Sequence, residues 1–334
     1  MTENTIRWGI IGCGNVTEVK SGPALQKARG SQLVAVMRRN SDLARDYAQR
    51  HGVPKWYNDA DALINDPEVD AVYIATPPSS HKDYVLAVAQ AGKPVYVEKP
   101  MARTYAECQA MVAACAQAGV PLFVAYYRRM LPRFLKVKAW LDAGAIGEVR
   151  SVDTVLYRPP SSGDCGDEKP WRLDPEIAGC GYFCDLGSHI LDLLQYLLGS
   201  IETAQGYATN QGGCYEAEDA VSATWLHENA VQRTSIHGTG TWHFSTQHHV
   251  DRTEIVGTTG IIRYATFDDE SVVLESRGQT ESIHIENPPH IQQPLIQTIV
   301  DTLLDRGKCP SIGHTAALTN RAIDMILGRY NIGE

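Results

Sequence analysis

The chain has 334 residues, room for about two domains, and is 43% hydrophobic and 21% charged, which excludes a disordered or fibrous protein. No apolar run approaches the roughly 18 to 20 residues of a membrane span, and the first strand-like run starts so near Met1 that a signal peptide is not expected. A net charge of −9, from 39 acidic against 30 basic residues, disfavours general nucleic-acid binding, and without a signal peptide a cytoplasmic setting is expected.

In chain order, residues 6–11, 32–37, 71–75, 95–97 and 122–125 are short apolar runs that read as buried strands. Helical patterns at 43–51, 81–91 and 105–118 separate them, and Gly92 and Gly119 supply stop signals. That alternation predicts a parallel sheet covered by helices on both faces. After residue 126 the rhythm changes. A helix over 131–143 leads to a strand at 149–157, then a loop of Pro, Gly and charge over 158–169. One strongly patterned helix, 185–198, is closed by Gly199. Extended segments at 220–226, 231–237, 252–256, 261–265, 272–275 and 282–285 then predict a mostly antiparallel sheet. Helices near 291–305 and 314–327 close the chain. The expected division is a first domain over 1–125 and a second over 126–334, with the C-terminal helices, 291–334, as candidates to pack back on the first.

The first strand runs into Gly12-Cys13-Gly14-Asn15-Val16-Thr17. One glycine permits the tight turn, the other lets a pyrophosphate reach the backbone, and the helix that follows offers free N–H groups. Thr17 stands where a third small residue is usual. After the second strand, where NAD binders carry an acid for the ribose, the chain has Arg38-Arg39. Guanidinium pairs with a 2′-phosphate, so the expected cofactor is NADP, with NAD the other candidate.

Ligands of an open parallel sheet collect beyond the carboxyl ends of its strands. There the chain places Thr76-Pro77 with His81, and Glu98-Lys99-Pro100. Prolines stiffen a wall beside a cofactor, and a lysine directly after a buried strand points into the crevice. In the second half, Asp185 and His189 stand four apart at the start of the patterned helix, on one face beside Leu186, Ile190, Leu193, Leu194 and Leu197. The eight cysteines (Cys13, Cys108, Cys115, Cys165, Cys180, Cys184, Cys214, Cys309) are scattered, and reduced thiols are expected. A zinc site from Cys180, Cys184 and Cys165, His189 or Cys214 fits no common knuckle, so no metal is expected.

Gly12-Cys13-Gly14-Asn15, Thr76-Pro77 with His81, Glu98-Lys99-Pro100 and Asp185 with His189 resemble, in order and spacing, the Gfo/Idh/MocA family of glucose–fructose oxidoreductase and inositol dehydrogenase. The resemblance covers essentially the whole chain. It implies an α/β fold: an N-terminal Rossmann domain, doubly wound on a parallel sheet, and a C-terminal α+β domain with a large open sheet. It also implies hydride transfer between a pyridine nucleotide, read above from Arg38-Arg39 as NADP(H), and a sugar, cyclitol or related polyol, and a homodimer or homotetramer. Carried onto this chain, it points to Lys99, Asp185 and His189 as catalytic. Gly12, Cys13, Gly14, Asn15, Val16, Arg38, Arg39, Thr76, Pro77, His81, Glu98 and Lys99 are the cofactor residues. Tyr127, Arg128, Tyr157, Trp171 and Arg172 are candidate substrate contacts. Two other readings are a nicotinamide-dependent glycoside hydrolase and a non-catalytic NADP(H) sensor.

Overall fold

The computed structural model describes residues 5–228 and 235–330. In β1 (Ile6–Ile11), Trp8, Ile10 and Ile11 are fully buried, so both faces of the strand need cover. It is joined by β2 (Ser31–Met37), β3 (Lys55–Tyr57), β4 (Ala71–Ile74), β5 (Val95–Val97) and β6 (Leu122–Val124). All pair in parallel, in the order β3-β2-β1-β4-β5-β6. Strand order reverses between β1 and β4, so connections leave in opposite directions there and open a crevice at the carboxyl ends. Local chemistry sets the helices: the Asn40 side chain accepts the Leu43 N–H at 3.1 Å to start Ser41–His51, and Gly52 ends it at φ 64°. The strand β3 and the short helices Gly22–Lys27 and Ala60–Ile64 were not expected, being too brief for periodicity to register.

The second sheet holds β7 (Val149–Tyr157), β8 (Ile201–Thr209), β9 (Ala220–His227), β10 (Ile236–His243), β11 (Val250–Gly257), β12 (Gly260–Tyr264), β13 (Val272–Ser276) and β14 (Gln279–Ile283). Their order is β14-β13-β12-β11-β7-β10-β9-β8, antiparallel except where β7 runs parallel to β10. Two strand expectations need correction. β8 was not expected at all. The strand expected at 231–237 is instead Ile236–His243, and residues 231–234 lie outside the described ones. Within β10, a Cβ at Gly238 would meet the Trp225 indole and one at Gly240 the Trp242 indole, at 2.1 and 2.5 Å. The indoles fill the space the glycines leave, and burial overrides local propensity.

One face of this sheet buries Val152, Leu156, Trp225, Trp242 and Ile255. The other presents Asp153, Gln205, Tyr207, Ser222, Thr224, Thr239 and Thr241 along a groove of about 420 Å³. That face is polar along its length, with Arg263 held by Glu254 at 2.5 Å and Glu275 at 2.5 Å.

Two compact units emerge, and neither is one continuous stretch. The first ends at Ala102 and resumes over Ala106–Leu131 and Pro288–Ala317; the second comprises Arg103–Tyr105, Pro132–Asn287 and the stretch from Leu318. The late stretch joins the first unit because helix Gln293–Leu303 buries Leu295, Ile296, Ile299 and Val300 on one stripe, and Phe123 bridges to Ile312.

Candidate functional site

In the first unit the glycine loop is pinned from below: the Gly12 and Cys13 N–H groups both donate to the Met37 carbonyl, at 2.9 and 3.1 Å. Gly12 has φ +89°, and a Cβ there would strike Thr76 at 2.6 Å, so the loop and the Thr76 wall touch only because the residue is glycine. A Cβ on Gly14 would meet nothing nearer than 3.8 Å, which leaves an open cradle at the start of the helix Asn15–Val19. Asn15 is exposed and Val16 half-buried at its rim. An open cradle over a glycine turn fits a dinucleotide pyrophosphate.

Thr17 departs from the small residue usual at its position, and the structure shows its work. Its hydroxyl accepts the Gly14 N–H at 3.0 Å and donates to the Gly14 carbonyl at 2.8 Å. The close packing a third glycine provides is moved to Gly22, where a Cβ would hit Thr17 O and the Tyr47 hydroxyl at 2.3 Å each. Burial pushes the Cys13 thiol up to about 11, so it is an inert filler under the loop. Arg38 and Arg39 are exposed past the end of β2, and an Arg38 Nη1 lies 3.5 Å from the Cys13 carbonyl, beside the glycine turn.

His81 is a brace, fully buried. Its Nε2 lies 2.7 Å from the Thr76 carbonyl, and its Nδ1 lies 3.2 and 3.1 Å from those of Pro100 and Met101. It therefore ties the Thr76-Pro77 wall to the segment after Lys99. Burial lowers its pKa against the pull of the carbonyls. Ser80 adds a second tie, donating to Thr76 Oγ1 at 2.8 Å and Pro77 O at 2.9 Å.

Glu98 follows β5 directly and is only 6% exposed. Its Oε1 accepts from the Tyr73 hydroxyl at 2.5 Å and from Gln292 Nε2 at 2.7 Å; its Oε2 accepts the Lys99 N–H at 3.1 Å. Lys99 is half-buried, with a cis bond to Pro100. Tyr127 and Arg128 are buried in the same unit on a short 3-10 turn, with the Arg128 guanidinium 5.5 Å above the Tyr127 ring.

In the second unit the expected helix from residue 185 begins as a π turn, Phe183–Gly187, before the α-helix Ser188–Leu198. Such turns concentrate at functional sites because they re-aim side chains. Asp185 lies on the π turn and pairs with Arg172 at 3.2 Å. The Arg172 guanidinium sits 4.5 Å over Trp171, so these three expected residues are together. His189, 3% exposed, meets the Phe267 ring edge-on at 6.0 Å, and Arg158 lies 4.8 Å over that same ring. Tyr157 is not brought to this group. It bonds Thr241 at 3.2 Å on the outer sheet face, one residue beyond the buried Leu156, because strand side chains alternate.

The expectation of reduced, scattered thiols is corrected for the second unit. Cys165 pairs with Cys214 and Cys180 with Cys184, Cα atoms 4.6 and 5.1 Å apart. A four-residue spacing on a helical ramp brings two Cβ atoms together, and the loop after β7 folds onto the β8–β9 connection. The other four, Cys13, Cys108, Cys115 and Cys309, are buried free thiols.

Residues missed by the sequence reading include Tyr73, Tyr96, Gln292, Arg158 and Phe267. A phenol in each of two wholly buried strands, β4 and β5, was a signal, since a buried hydroxyl needs a partner.

Comparison with known proteins agrees with this architecture. An oxidoreductase family with an NAD-binding Rossmann fold, GFO_IDH_MocA, matches residues 6–126, and the GFO/IDH/MocA C-terminal domain matches 134–263. The chain is 41% identical to Oxidoreductase P35 of Formosa agariphila, covering 98% of this chain and 99% of that one. It is 27% identical to scyllo-inositol 2-dehydrogenase (NAD(+)) of Bacillus subtilis, over 84% of this chain and 80% of that one. The fold matches a levoglucosan dehydrogenase in complex with NADH at TM-score 0.87 and 22% identity, covering 97% and 96% of the two chains. The glycine loop, the braced strand ends and these matches lead to one conclusion: the chain belongs to the Gfo/Idh/MocA family of NAD-binding oxidoreductases.

Proposed function

We propose that the protein oxidises or reduces a sugar, cyclitol or related polyol with NADP(H). The observation that carries the reading is the gathering of the glycine loop, the Thr76-Pro77 wall and Glu98-Lys99 at the ends of adjacent strands β1, β4 and β5. Gly12, Cys13, Gly14, Asn15 and Val16 would hold the pyrophosphate. Thr76, Pro77 and Glu98 would flank the nicotinamide half, with His81 acting through the loops it braces. When bound, the dinucleotide supplies or accepts a hydride equivalent at its nicotinamide.

The chain's own residues manage the substrate hydroxyl. Lys99 holds that oxygen and offsets its developing negative charge. His189 takes and returns the proton, an imidazole being suited to this near neutrality. Asp185, already engaged by Arg172 beside Trp171, accepts a second substrate hydroxyl. Tyr127 and Arg128 are further candidates for substrate contact.

Arg38 supports NADP over NAD, although the relatives' names speak of NAD(+) and NADH for those proteins. A panel of polyols, aldoses and ketoses against both nucleotides, read at the reduced-nicotinamide absorbance band, tests the reading. Turnover is expected with NADP(H), at least ~10-fold above NAD(H) in kcat/KM, the worth of one charge-assisted phosphate contact. Equal or better use of NAD(H) rules out the NADP assignment, and no turnover on any member rules out the substrate class.

A further inference from the structure

We infer that Gln292 is a positioning residue for Lys99, acting through Glu98. This rests on the proposed role of Lys99. Gln292 is 194 residues from Glu98 in sequence, at the start of helix Gln293–Leu303, and has no exposed surface.

The chain of contacts is continuous and its proton placements are fixed. The Tyr96 hydroxyl donates to Gln292 Oε1 at 2.8 Å, which turns the amide so that Nε2 donates to Glu98 Oε1. Tyr73 donates to the same oxygen. Burial holds both phenols protonated, their pKa values raised well above the ordinary one, so each keeps a hydrogen to donate to the oxygen it faces. Tyr73 and Tyr96 stack with centroids 4.6 Å apart, which fixes the rings that carry the two hydroxyls. With Oε1 held by two donors, Oε2 is aimed back at the Lys99 N–H. The carboxyl group thereby clamps the peptide from which the lysine side chain departs.

A buried carboxyl group is costly unless its oxygens are satisfied. Tyr73 and Gln292 satisfy Oε1 with neutral donors and leave Oε2 for the Lys99 peptide. The groups facing this cluster are Tyr73 from β4, Tyr96 from β5, the His81 ring, and Cys309 and Tyr127 beside Tyr96. Lys99 itself lies next in sequence.

Gln292→Met removes both amide contacts at similar volume. The Lys99 amide should then exchange its hydrogen at least ~10-fold faster, while that of Val97 in β5 stays as in the wild type. This readout needs neither substrate nor nucleotide. With the best substrate of the panel, kcat should fall ~10- to 100-fold with nucleotide KM within ~3-fold, since misplacement of about 1 Å costs that much. Tyr96→Phe, which deletes only the hydroxyl, should move both readouts the same way by less, and serves if the methionine variant folds poorly.

Gln292→Glu places a second carboxyl group against Glu98. At low pH the pair shares a proton and kcat approaches wild type; at high pH like charges repel and a new descending limb appears. Gln297→Glu, on the same helix, should give no such limb. Unchanged Lys99 exchange in Gln292→Met, or a wild-type pH profile in Gln292→Glu, overturns the inference while Lys99→Met stays inactive. Full activity in Lys99→Met overturns the underlying role of Lys99, and the inference with it.

Discussion

Lys99 leaves the end of β5 on a peptide whose N–H is held by a buried carboxyl group and whose next bond, to Pro100, is cis. Two braces converge on that short segment: the Glu98 contacts on one side, and the His81 ring on the carbonyls of Pro100 and Met101 on the other. Precision at a reacting centre requires such support, because a side chain that wanders loses alignment with its target. Replacing Lys99 by Met keeps its length and removes its charge. The expected outcome is a fall in kcat of about 100-fold or more with little change in melting temperature, measured by steady-state turnover and thermal unfolding. Near-normal turnover would remove Lys99 from the chemistry. At this scale the sequence was informative about which residue types stand at strand ends. It was silent about Gln292, because nothing local distinguishes a glutamine that meets a carboxyl group 194 positions earlier.

The elements of the second unit depend on cross-links that the sequence reading did not expect. The loop after β7 is tied to the β8–β9 connection by Cys165–Cys214, and the π turn that carries Asp185 is closed by Cys180–Cys184. A small satellite core of Leu173, Tyr215 and Ala217, with Tyr182 packed against it, lies beside the first bridge. Tyr182 also donates to Asp164 at 2.8 Å, so the loop carrying Trp171 and Arg172 is fastened by packing, a hydrogen bond and covalent links. Protein purified without reductant and unfolded in denaturant should show four titratable thiols before reduction, those of Cys13, Cys108, Cys115 and Cys309, and eight after. Eight thiols before reduction would mean that the bridges do not form in solution. The strands of this unit were only partly legible: β7 was read correctly, whereas β10 was placed too early, over 231–237 instead of Ile236–His243.

At the scale of the whole molecule, stability should fall on the acid side for an identifiable reason. His227 sits in β9 as a neutral tautomer, its Nε2 accepting from Trp225 at 2.9 Å and its Nδ1 donating to the Gly199 carbonyl at 2.7 Å. Burial lowers its pKa to about 4, against about 6.5 for an unfolded histidine. Between those values the unfolded chain binds a proton that the folded chain refuses. Its contribution is therefore complete above about pH 6.5 and lost as pH falls towards 4, on the order of 3 kcal/mol by linkage. His81 is shifted in the same direction. Urea unfolding at pH 7.5 and 4.5 should show a smaller acid loss in His227→Gln than in wild type. Equal losses would place the acid sensitivity elsewhere. The same scale explains the interleaved units. Helix Gln293–Leu303 has an apolar stripe that must be buried, and the first unit receives it, bringing Gln292 to Glu98.

The sequence by itself determined the parallel first sheet, the glycine turn with its missing third glycine, and the unusual residues after β4 and β5. These are local signals: period, turn chemistry and residue type at a strand end, each readable within a window of a few residues. It also carried the family, through motifs whose order survives without knowledge of contacts. Tertiary structure alone decided who satisfies the buried Glu98, which cysteines meet, that Tyr157 lies on the outer face of its sheet, and that Gly238 and Gly240 sit under tryptophans. The Glu98 contacts and the Cys165–Cys214 pair depend on groups distant in sequence, and only the burial of apolar surface elsewhere in the chain brings them within hydrogen-bonding or bonding range.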